Sequence, residues 1–233
     1  MLFKRHEKKY ILTIEQCDEF SRRIAPYVQK DEYGEYTICN VYYDTDNFDL
    51  IRESLGKPHF KQKMRLRSYG IPTAEDKVFL ELKKKYDGIV YKRRIKLPYA
   101  ECMNYLEKGI TPRKDNISFK EIDYVKKHFD LKPKVYLAYD RLAFVANDDP
   151  TLRITFDYNI RARAENPSFD AGDYGHPVLE ETKRILELKV GMAMPRWLID
   201  ILNEMQIRRR SFSKYGTFYN NYIAKKDKNN YDR

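Results

Sequence analysis

The chain of 233 residues lacks the patterns that build disulfide, zinc or membrane-spanning frameworks. Its three cysteines, Cys17, Cys39 and Cys102, are an odd number with no CxxC spacing, so we expect buried reduced thiols. The four histidines are scattered without a ligand spacing. No apolar run approaches the roughly 18 residues of a membrane span, and the N-terminus has no apolar signal-peptide core. These absences predict a cytoplasmic protein without a membrane span.

Positive charge is in excess, since 45 Lys and Arg residues face 35 Asp and Glu residues and give a formal net charge of +10. This balance favours an anionic partner, which could be a nucleic acid, a membrane surface or a phosphate compound. The sequence contains no nucleic-acid-binding motif and no basic amphipathic helix. We therefore expect neither a nucleic-acid nor a lipid-surface partner.

The stretch Phe60–Tyr69 alternates strictly between charged and mostly apolar side chains. Its charged positions are Lys61, Lys63, Arg65 and Arg67. Because successive side chains of a strand point to opposite faces, these four cations form one row. A solvated outer face is the simplest interpretation of one such strand, but an unbroken row of one sign indicates a missing anionic partner.

The alternation recurs in other predicted strands. A Glu-x-Lys pattern, which places acid and base on one face, occurs at Glu7/Lys9, Glu81/Lys83 and Glu187/Lys189. Further sets predicted to share a face are Lys92, Arg94 and Lys96; Tyr139 and Arg141; and Arg153, Asp157, Asn159, Arg161 and Arg163. Asp157 is expected to orient a neighbouring arginine rather than to bind a metal.

About eight strands and four or five helices are predicted in a single domain over residues 1–224, followed by a polar tail over 225–233. The strands are expected at 3–11, 36–43, 60–69, 77–85, 89–97, 133–145, 151–163 and 178–190. Thr13 and Gln16 form a capping box for the first helix, and residues 44–47 cap a short helix over 48–54. Asp87-Gly88 is a hairpin signal.

The amphipathic helices decide between two arrangements of this sheet. If the charged faces pointed outwards, the apolar faces would fill the core and leave the helices no apolar surface to cover. We therefore predict an α+β fold, a closed antiparallel barrel whose outer apolar face is covered by helices and whose lumen is charged. Such a lumen would hold water, a polyanion and a divalent metal ion.

Eight short motifs together resemble the VTC domain, the polyphosphate polymerase branch of the triphosphate tunnel metalloenzymes. They are EKKY at 7–10, MRLR at 64–67, LELK at 80–83, YKRR at 91–94, AYDR at 138–141, LRITFD at 152–157, LELK at 186–189 and SFSKY at 211–215. The resemblance covers nearly the whole chain and implies a tunnel of about eight antiparallel strands.

The resemblance also implies transfer of the γ-phosphoryl group of ATP to a growing polyphosphate chain with Mn²⁺ or Mg²⁺. Residues expected to act on the reacting phosphates are Lys9, Arg65, Arg67, Lys83, Arg141, Arg153 and Lys214. Residues expected to bind substrate are Lys92, Arg94, Tyr139, Arg210 and Ser213. Glu187 would be the main metal ligand, with Glu7 and Glu81.

Departures from the pattern keep two alternatives open. The hydrolase branch begins with Glu-x-Glu-x-Lys, whereas this chain has Arg5-x-Glu7-x-Lys9, and its last strand offers Ile185 before Glu187. Fewer carboxylates favour transfer over hydrolysis. A triphosphate hydrolase and a non-catalytic polyanion-binding protein remain the alternatives.

A further departure lies near the C-terminus. Ser211 stands where the polymerase pattern has lysine, and Arg210 is the candidate substitute. The expected partners are ATP and polyphosphate, with any membrane channel supplied by a separate protein. The sequence does not define the oligomeric state.

Overall fold

The computed structural model describes residues 6–56, 58–87, 89–113, 116–191 and 193–225. Arg5, Gly88 and residues 226–233 of the expected tail lie outside these ranges. Contacts within the chain divide it into two compact units. Unit 1 is drawn from residues 1–37, 139–160 and 177–213, and unit 2 from residues 38–138, 161–176 and 214–233. The single domain over 1–224 stays a prediction.

Strands dominate the described ranges. The strands are β1 (His6–Thr13), β2 (Val28–Asp44), β3 (Phe60–Tyr69), β4 (Lys77–Tyr86), β5 (Ile89–Pro98), β6 (Lys132–Ala146), β7 (Arg153–Arg163), β8 (His176–Pro177) and β9 (Lys183–Val190). The α-helices are α1 (Ile14–Ile24), α2 (Asp49–Leu55), α3 (Tyr99–Lys108), α4 (Ile117–His128), α5 (Arg196–Glu204) and α6 (Lys214–Phe218). A 3₁₀ turn follows α1 at Ala25–Tyr27, and a π turn follows α6 at Tyr219–Ile223.

The predicted strands are therefore present with shifted ends. The second is far longer than expected, and the last begins at Lys183 rather than at 178. The two-residue strand β8 was not predicted, because two residues carry no periodicity.

Hydrogen bonds join the strands in the order β1-β9-β7-β6-β2-β3-β4-β5, with β8 beside β7. The pairings β1–β9, β7–β9, β2–β3, β3–β4 and β4–β5 are antiparallel, which confirms the α+β antiparallel class. Among the described residues the order begins at β1 and ends at β5. Hydrogen bonding therefore does not confirm the closed barrel.

In unit 1, helices α1 and α5 cover the apolar face of β1, β7 and β9. The buried side chains of this core include Tyr10, Leu12, Phe20, Ile24, Ile154, Phe156, Leu186, Leu188, Leu198 and Leu202. Helix α1 begins with the predicted capping box, in which the Gln16 amide donates to Thr13 Oγ1 at 3.2 Å and the Thr13 amide donates to Gln16 Oε1 at 3.1 Å. Because these helices pack on the apolar face, they do not cover the charged face of the strands.

In unit 2, helices α3 and α4 cover the apolar face of β3, β4 and β5. The buried set includes Met64, Leu66, Val78, Leu80, Leu82, Ile95, Leu97, Cys102, Tyr105, Phe119, Ile122 and Val125. The expected coverage of apolar strand faces by helices is thus confirmed in each unit. Cys39 and Cys102 are buried free thiols, as expected, whereas the free thiol of Cys17 is only half-buried.

Strand β7 departs from the predicted alternation at Asn159, whose φ is +49°. This left-handed residue interrupts the pleat, so the face assigned to Arg153 and Asp157 does not continue to Arg161 and Arg163. Arg161 pairs with Asp173 (Nε to Oδ1, 2.7 Å). Arg163 is buried and donates to the carbonyl oxygens of residues 166, 168 and 174. The prediction that both arginines share the charged face was therefore wrong.

No helix within the described ranges combines the length and the apolar character that crossing a membrane requires.

Candidate functional site

The charged face of unit 1 is set by the register of β1, β9 and β7. Lys9 lies opposite Glu187, and Glu7 lies opposite Lys189. On the other side of β9, Arg153 lies opposite Lys189. Each glutamate therefore lies opposite a lysine on the neighbouring strand and two residues from a lysine on its own strand.

We call Glu7, Lys9, Glu187 and Lys189 the Glu187 cluster. Lys189 Nζ lies 2.9 Å from Glu187 Oε1, and Lys9 Nζ lies 3.8 Å from Glu187 Oε2 and 3.1 Å from Glu7 Oε1. Glu187 is only 5% exposed. Burial alone would lower the pKa of Lys9, but the carboxylates of Glu187 and Glu7 outweigh burial and raise that pKa. Lys9 is therefore a fixed positive charge between two carboxylates.

Arg141 and Asp157 form a second, bidentate pair in unit 1. Arg141 Nε donates to Asp157 Oδ1 at 2.6 Å and Nη2 donates to Oδ2 at 2.8 Å. The Asp157 side chain is fully buried, and the guanidinium lies 5.3 Å from the Tyr139 ring centroid. Burial lowers the pKa of Arg141, but Tyr139, Asp157 and Glu187 raise it well above its usual value. The expectation that Asp157 orients an arginine is confirmed.

The segment over 208–213 runs beside β1. The Arg210 amide donates to the Lys9 carbonyl at 2.8 Å, and Lys9 Nζ donates to the Phe212 carbonyl at 3.4 Å. The Arg210 and Arg153 side chains are exposed, whereas Ser213 is half-buried. The backbone of this segment therefore fixes the Lys9 side chain.

The Glu187 cluster has the chemistry of a partial site for a hard cation. Within the ranges that the structure describes, no group of three or more His, Cys, Asp or Glu side chains could hold a metal ion by itself. Mg²⁺ and Mn²⁺ prefer oxygen ligands, and Mg²⁺ is often held by one or two carboxylates together with substrate phosphates. Glu187 and Glu7 fit that mode, in which phosphate oxygens complete the coordination.

In unit 2, Arg65, Glu81, Lys92 and Arg94 form what we call the Glu81 cluster. The register places Arg65 and Arg94 on either side of Glu81. Arg65 Nε donates to Glu81 Oε2 at 2.8 Å, Arg94 Nε donates to Oε1 at 2.6 Å, and Lys92 Nζ lies 2.8 Å from Oε1. Glu81 is 1% exposed, so one buried carboxylate holds three cations.

Burial and neighbouring charges together set the pKa values of Glu81 and Lys92. Burial would raise the pKa of Glu81, but Arg65, Arg67 and Lys92 hold it well below its usual range. Burial lowers the pKa of Lys92 to about 8, although Glu81 opposes that shift. Both oxygens of Glu81 are engaged by cations, so the geometry favours a counter-ion role; its predicted role as a metal ligand stays a prediction.

Two further polar residues on β2, Asn40 and Tyr42, support the cations of β3, and the sequence analysis did not assign them to the site. Arg67 Nε donates to Oδ1 of Asn40 at 3.1 Å, and Asn40 Nδ2 donates to the Leu137 carbonyl at 3.1 Å. Arg65 Nη1 donates to the Tyr42 hydroxyl at 3.3 Å. In the sequence, the signal that could have identified Asn40 was an asparagine inside the β-branched and aromatic run over 36–43.

Asp44, the last residue of β2, anchors the helix that Lys214 begins. Its carboxylate accepts the Leu50 and Ile51 amides at 2.9 and 3.1 Å, as the predicted cap of α2 requires. It also accepts the Tyr215 hydroxyl at 3.0 Å. Lys214 is thus held next to an anchored tyrosine. Lys83 is exposed and lies opposite Lys92.

In each unit the antiparallel sheet carries arginines and lysines oriented by buried carboxylates, an arrangement whose chemistry suits anionic ligands. The VTC domain family model matches residues 4–222, so the chain belongs to the VTC domain family.

Two curated relatives are similar over part of their length. Subunit 4 of the vacuolar transporter chaperone complex of Trypanosoma cruzi is 23% identical over 209 residues, which cover 71% of this chain and 26% of the relative. The Schizosaccharomyces pombe subunit 4 is 26% identical over 221 residues, which cover 76% of this chain and 30% of the relative. The chain therefore spans less than a third of the length of either relative.

Solved structures show the same fold. A "putative adenylate cyclase" from Bacillus halodurans superposes with a TM-score of 0.55 at 15% identity, covering 89% of this chain and 92% of that one. A second "putative adenylate cyclase", from Vibrio parahaemolyticus, gives a TM-score of 0.50 at 11% identity, covering 92% and 97%. At these identities the likeness concerns the fold alone.

Proposed function

We propose that the chain is a polyphosphate polymerase that transfers the γ-phosphoryl group of ATP to the end of an inorganic polyphosphate chain. Membership of the VTC domain family and similarity to vacuolar transporter chaperone subunits support this proposal. The closed tunnel belongs to the same proposal, as do the cytoplasmic location and cooperation with a separate membrane protein.

The observation that carries the proposal is the pairing of the unit 1 carboxylates with cations. Glu7 and Glu187 contact Lys9, Glu187 contacts Lys189, and Asp157 holds Arg141. A terminal phosphate of the growing chain is already an anion, so the attack needs no protein base. Positioned cations are what such a reaction requires most.

The proposed step is an in-line displacement. A terminal oxygen of polyphosphate forms a bond to the γ-phosphorus of ATP, and the bond from that phosphorus to the β–γ bridging oxygen breaks. ADP leaves with the electron pair. A bound Mn²⁺ or Mg²⁺ would neutralise charge on the phosphate oxygens. Arg141, fixed by Asp157, and Lys9, fixed by the Phe212 carbonyl, orient the transferred group.

The engaged carboxylates also bear on hydrolysis. Activation of water by a metal ion relies on several carboxylates that hold the ion and accept a proton. Glu187 and Glu7 each lie beside Lys9, which weakens that function. We therefore favour transfer to phosphate over transfer to water.

Product analysis tests the proposal directly. Purified protein is incubated with ATP and Mn²⁺, and the products are separated on a gel that resolves chain length. A ladder of polyphosphate with matching release of ADP is the expected result. Orthophosphate without polymer would identify a triphosphate hydrolase, and binding of tripolyphosphate without turnover would identify a polyanion-binding protein.

Arg141→Met should remove polymer synthesis. Arg161→Met is its matched control, because Arg161 also pairs with an aspartate but lies outside the proposed site. Equal loss in both variants would contradict the assignment of Arg141.

A further inference from the structure

Tyr215 is a buried tyrosine that the proposed reaction does not use. It follows Lys214 as the second residue of α6 and is 3% exposed. Its hydroxyl donates to Asp44 Oδ2 at 3.0 Å. Burial and the carboxylate of Asp44 raise the pKa of Tyr215 well above its usual value, so the hydroxyl stays protonated. Tyr215 therefore offers Asp44 a hydrogen bond throughout the neutral pH range.

The acceptor, Asp44, is itself firmly held. It is 0% exposed, and its carboxylate also accepts the amides of Thr45 and Leu50 at 2.9 Å and of Ile51 at 3.1 Å. These three donors lie within seven residues of Asp44, whereas Tyr215 lies 171 residues away. A cap for α2 needs the nearby amides alone. The hydrogen bond from Tyr215 therefore serves to dock α6 on the end of β2.

The ring of Tyr215 makes a second contact with β2. It stacks on the Tyr42 ring with centroids 4.7 Å apart and planes inclined by 24°. Tyr42 lies two residues before Asp44, so the two side chains point to one face of the strand. The Tyr42 hydroxyl in turn accepts Arg65 Nη1 at 3.3 Å, and Arg65 donates to Glu81. Direct contacts thus lead from Tyr215 to the Glu81 cluster.

These contacts decide the position of Lys214 because α6 is short. A helix of five residues is not stable by itself, so tertiary contacts must set its place. Phe48 supplies one more contact, with its ring centroid 5.5 Å from that of Tyr219, just beyond α6. Lys214 is half-buried, and its Cα lies about 3.8 Å from that of Tyr215. Any shift of Tyr215 therefore moves the lysine as well.

We propose that Tyr215 is a positioning residue that, through Asp44 and Tyr42, fixes the Lys214 ammonium group relative to the Glu81 cluster. This inference rests on the proposed function, in which Lys214 is expected to act on the reacting phosphates. Phosphoryl transfer without a protein base depends on the placement of charge, so an ammonium group displaced by about 1 Å stabilises the transferred group less. Loss of the Tyr215 hydroxyl should therefore lower the rate, and only through Lys214.

A double-mutant cycle tests this dependence. Tyr215→Phe removes the hydroxyl and keeps the ring, and Lys214→Ala removes the ammonium group. Polymer synthesis from radiolabelled ATP with Mn²⁺ is measured for the unaltered protein, both single variants and the double variant. With Lys214 present, Tyr215→Phe should lower kcat about tenfold while KM for ATP stays within about twofold. In the Lys214→Ala background the same change should alter kcat by less than about twofold.

Tyr105→Phe is the matched control. Tyr105 is also 3% exposed and its hydroxyl donates to Asp123 Oδ1 at 2.9 Å, but it lies on α3, which covers the apolar face of the sheet. This variant should lower the melting temperature about as much as Tyr215→Phe does, and it should leave kcat within about twofold in either background. The comparison separates the loss of a buried hydrogen bond from the loss of lysine position.

Three results would remove the inference and leave the proposed function intact. They are an unchanged kcat in Tyr215→Phe, an equal loss with and without Lys214, and full activity of Lys214→Ala. Absence of polymer from the unaltered protein would overturn the proposed function and this inference together. If Tyr215→Phe does not fold, Tyr219→Leu replaces it, because loss of the contact with Phe48 loosens α6 from its other end and should show the same dependence on Lys214.

Discussion

The Glu187 cluster and the Glu81 cluster are built from the same strand pattern but differ in the balance of charge. In the Glu187 cluster two carboxylates share two lysines, and Lys9 contacts both acids. In the Glu81 cluster a single buried carboxylate contacts two arginines and a lysine. The same Glu-x-Lys pattern therefore produces a nearly neutral cluster in one unit and a strongly positive one in the other.

The difference follows from the neighbouring strands. Glu187 lies on β9 between β1, which supplies Glu7 and Lys9, and β7, which supplies Arg153. Glu81 lies on β4 between β3 and β5, whose facing residues are arginines and lysines. A nearly neutral cluster with two carboxylates suits a metal ion, whereas a positive cluster suits a polyanion. Each cluster can be altered separately to test this division.

The largest expected effect is that of Glu187→Gln. This variant removes the main proposed metal ligand, so polymer synthesis with Mn²⁺ should fall by about 100-fold or more. Binding of tripolyphosphate in the presence of EDTA should stay the same or become tighter, because a negative charge has been removed. Rates from the gel assay and calorimetric affinities provide the measurements.

The matched control is Glu181→Gln, an exposed acid in the loop before β9. This variant should leave the rate of polymer synthesis and the affinity for tripolyphosphate unchanged. Full activity of Glu187→Gln with unaltered metal dependence would show that the Glu187 cluster is not the metal site.

The next effect in size is on stability. Glu81→Gln leaves three cations without their carboxylate, and it should lower the free energy of unfolding at pH 7 by about 2 kcal/mol, since those cations are partly exposed. Urea unfolding measures the loss. Added tripolyphosphate should stabilise this variant more than the unaltered protein, because it replaces the missing anion.

The contribution of Glu81 to the free energy of unfolding should depend on pH. The pKa of Glu81 is lowered by folding, so its stabilisation is complete above the pKa of about 4.3 of an unfolded glutamate and is lost as the pH falls below it. The difference in the free energy of unfolding between Glu81→Gln and the unaltered protein should therefore become smaller at low pH. Glu53→Gln, an exposed acid in α2, is the control, and a similar loss there would argue against a specific role for Glu81.

The smallest expected effect is proton uptake at Lys92. Folding lowers the pKa of Lys92 to about 8, so its charged fraction falls as the pH rises through that value, and affinity for tripolyphosphate should weaken in the same range. Bound phosphate favours the charged form, and binding at about pH 8 should therefore take up a fraction of a proton. Calorimetry in buffers of different ionisation enthalpy measures this uptake.

Lys92→Arg should remove the proton uptake while keeping affinity, because arginine stays charged at this pH. Without ligand, the folded state loses the Lys92 proton near pH 8, whereas the unfolded state keeps it up to about pH 10.4. The contribution of Lys92 to the free energy of unfolding therefore rises with pH between these two values, opposite in sign to the change in affinity. Uptake that persists in Lys92→Arg would assign it to another group.

Local sequence rules accounted for much of the fold. The alternation in β3 placed Arg65 and Arg67 on the face opposite Met64 and Leu66, because the pleat alternates side chains regardless of context. The capping box at Thr13 needed only residues within one helical turn. The β7 alternation failed at Asn159, where a backbone conformation that the sequence does not specify breaks the period.

The amino-acid sequence by itself determined which faces are charged and which helices cover the apolar ones, because both follow from periodicity within a segment. Only the tertiary structure decided that Lys9 meets Glu187, that Arg141 meets Asp157 and that Glu81 holds three cations. These pairings depend on cross-strand register, which a shift of one residue would change completely. Register is fixed by packing between distant segments, so no local pattern could have specified it.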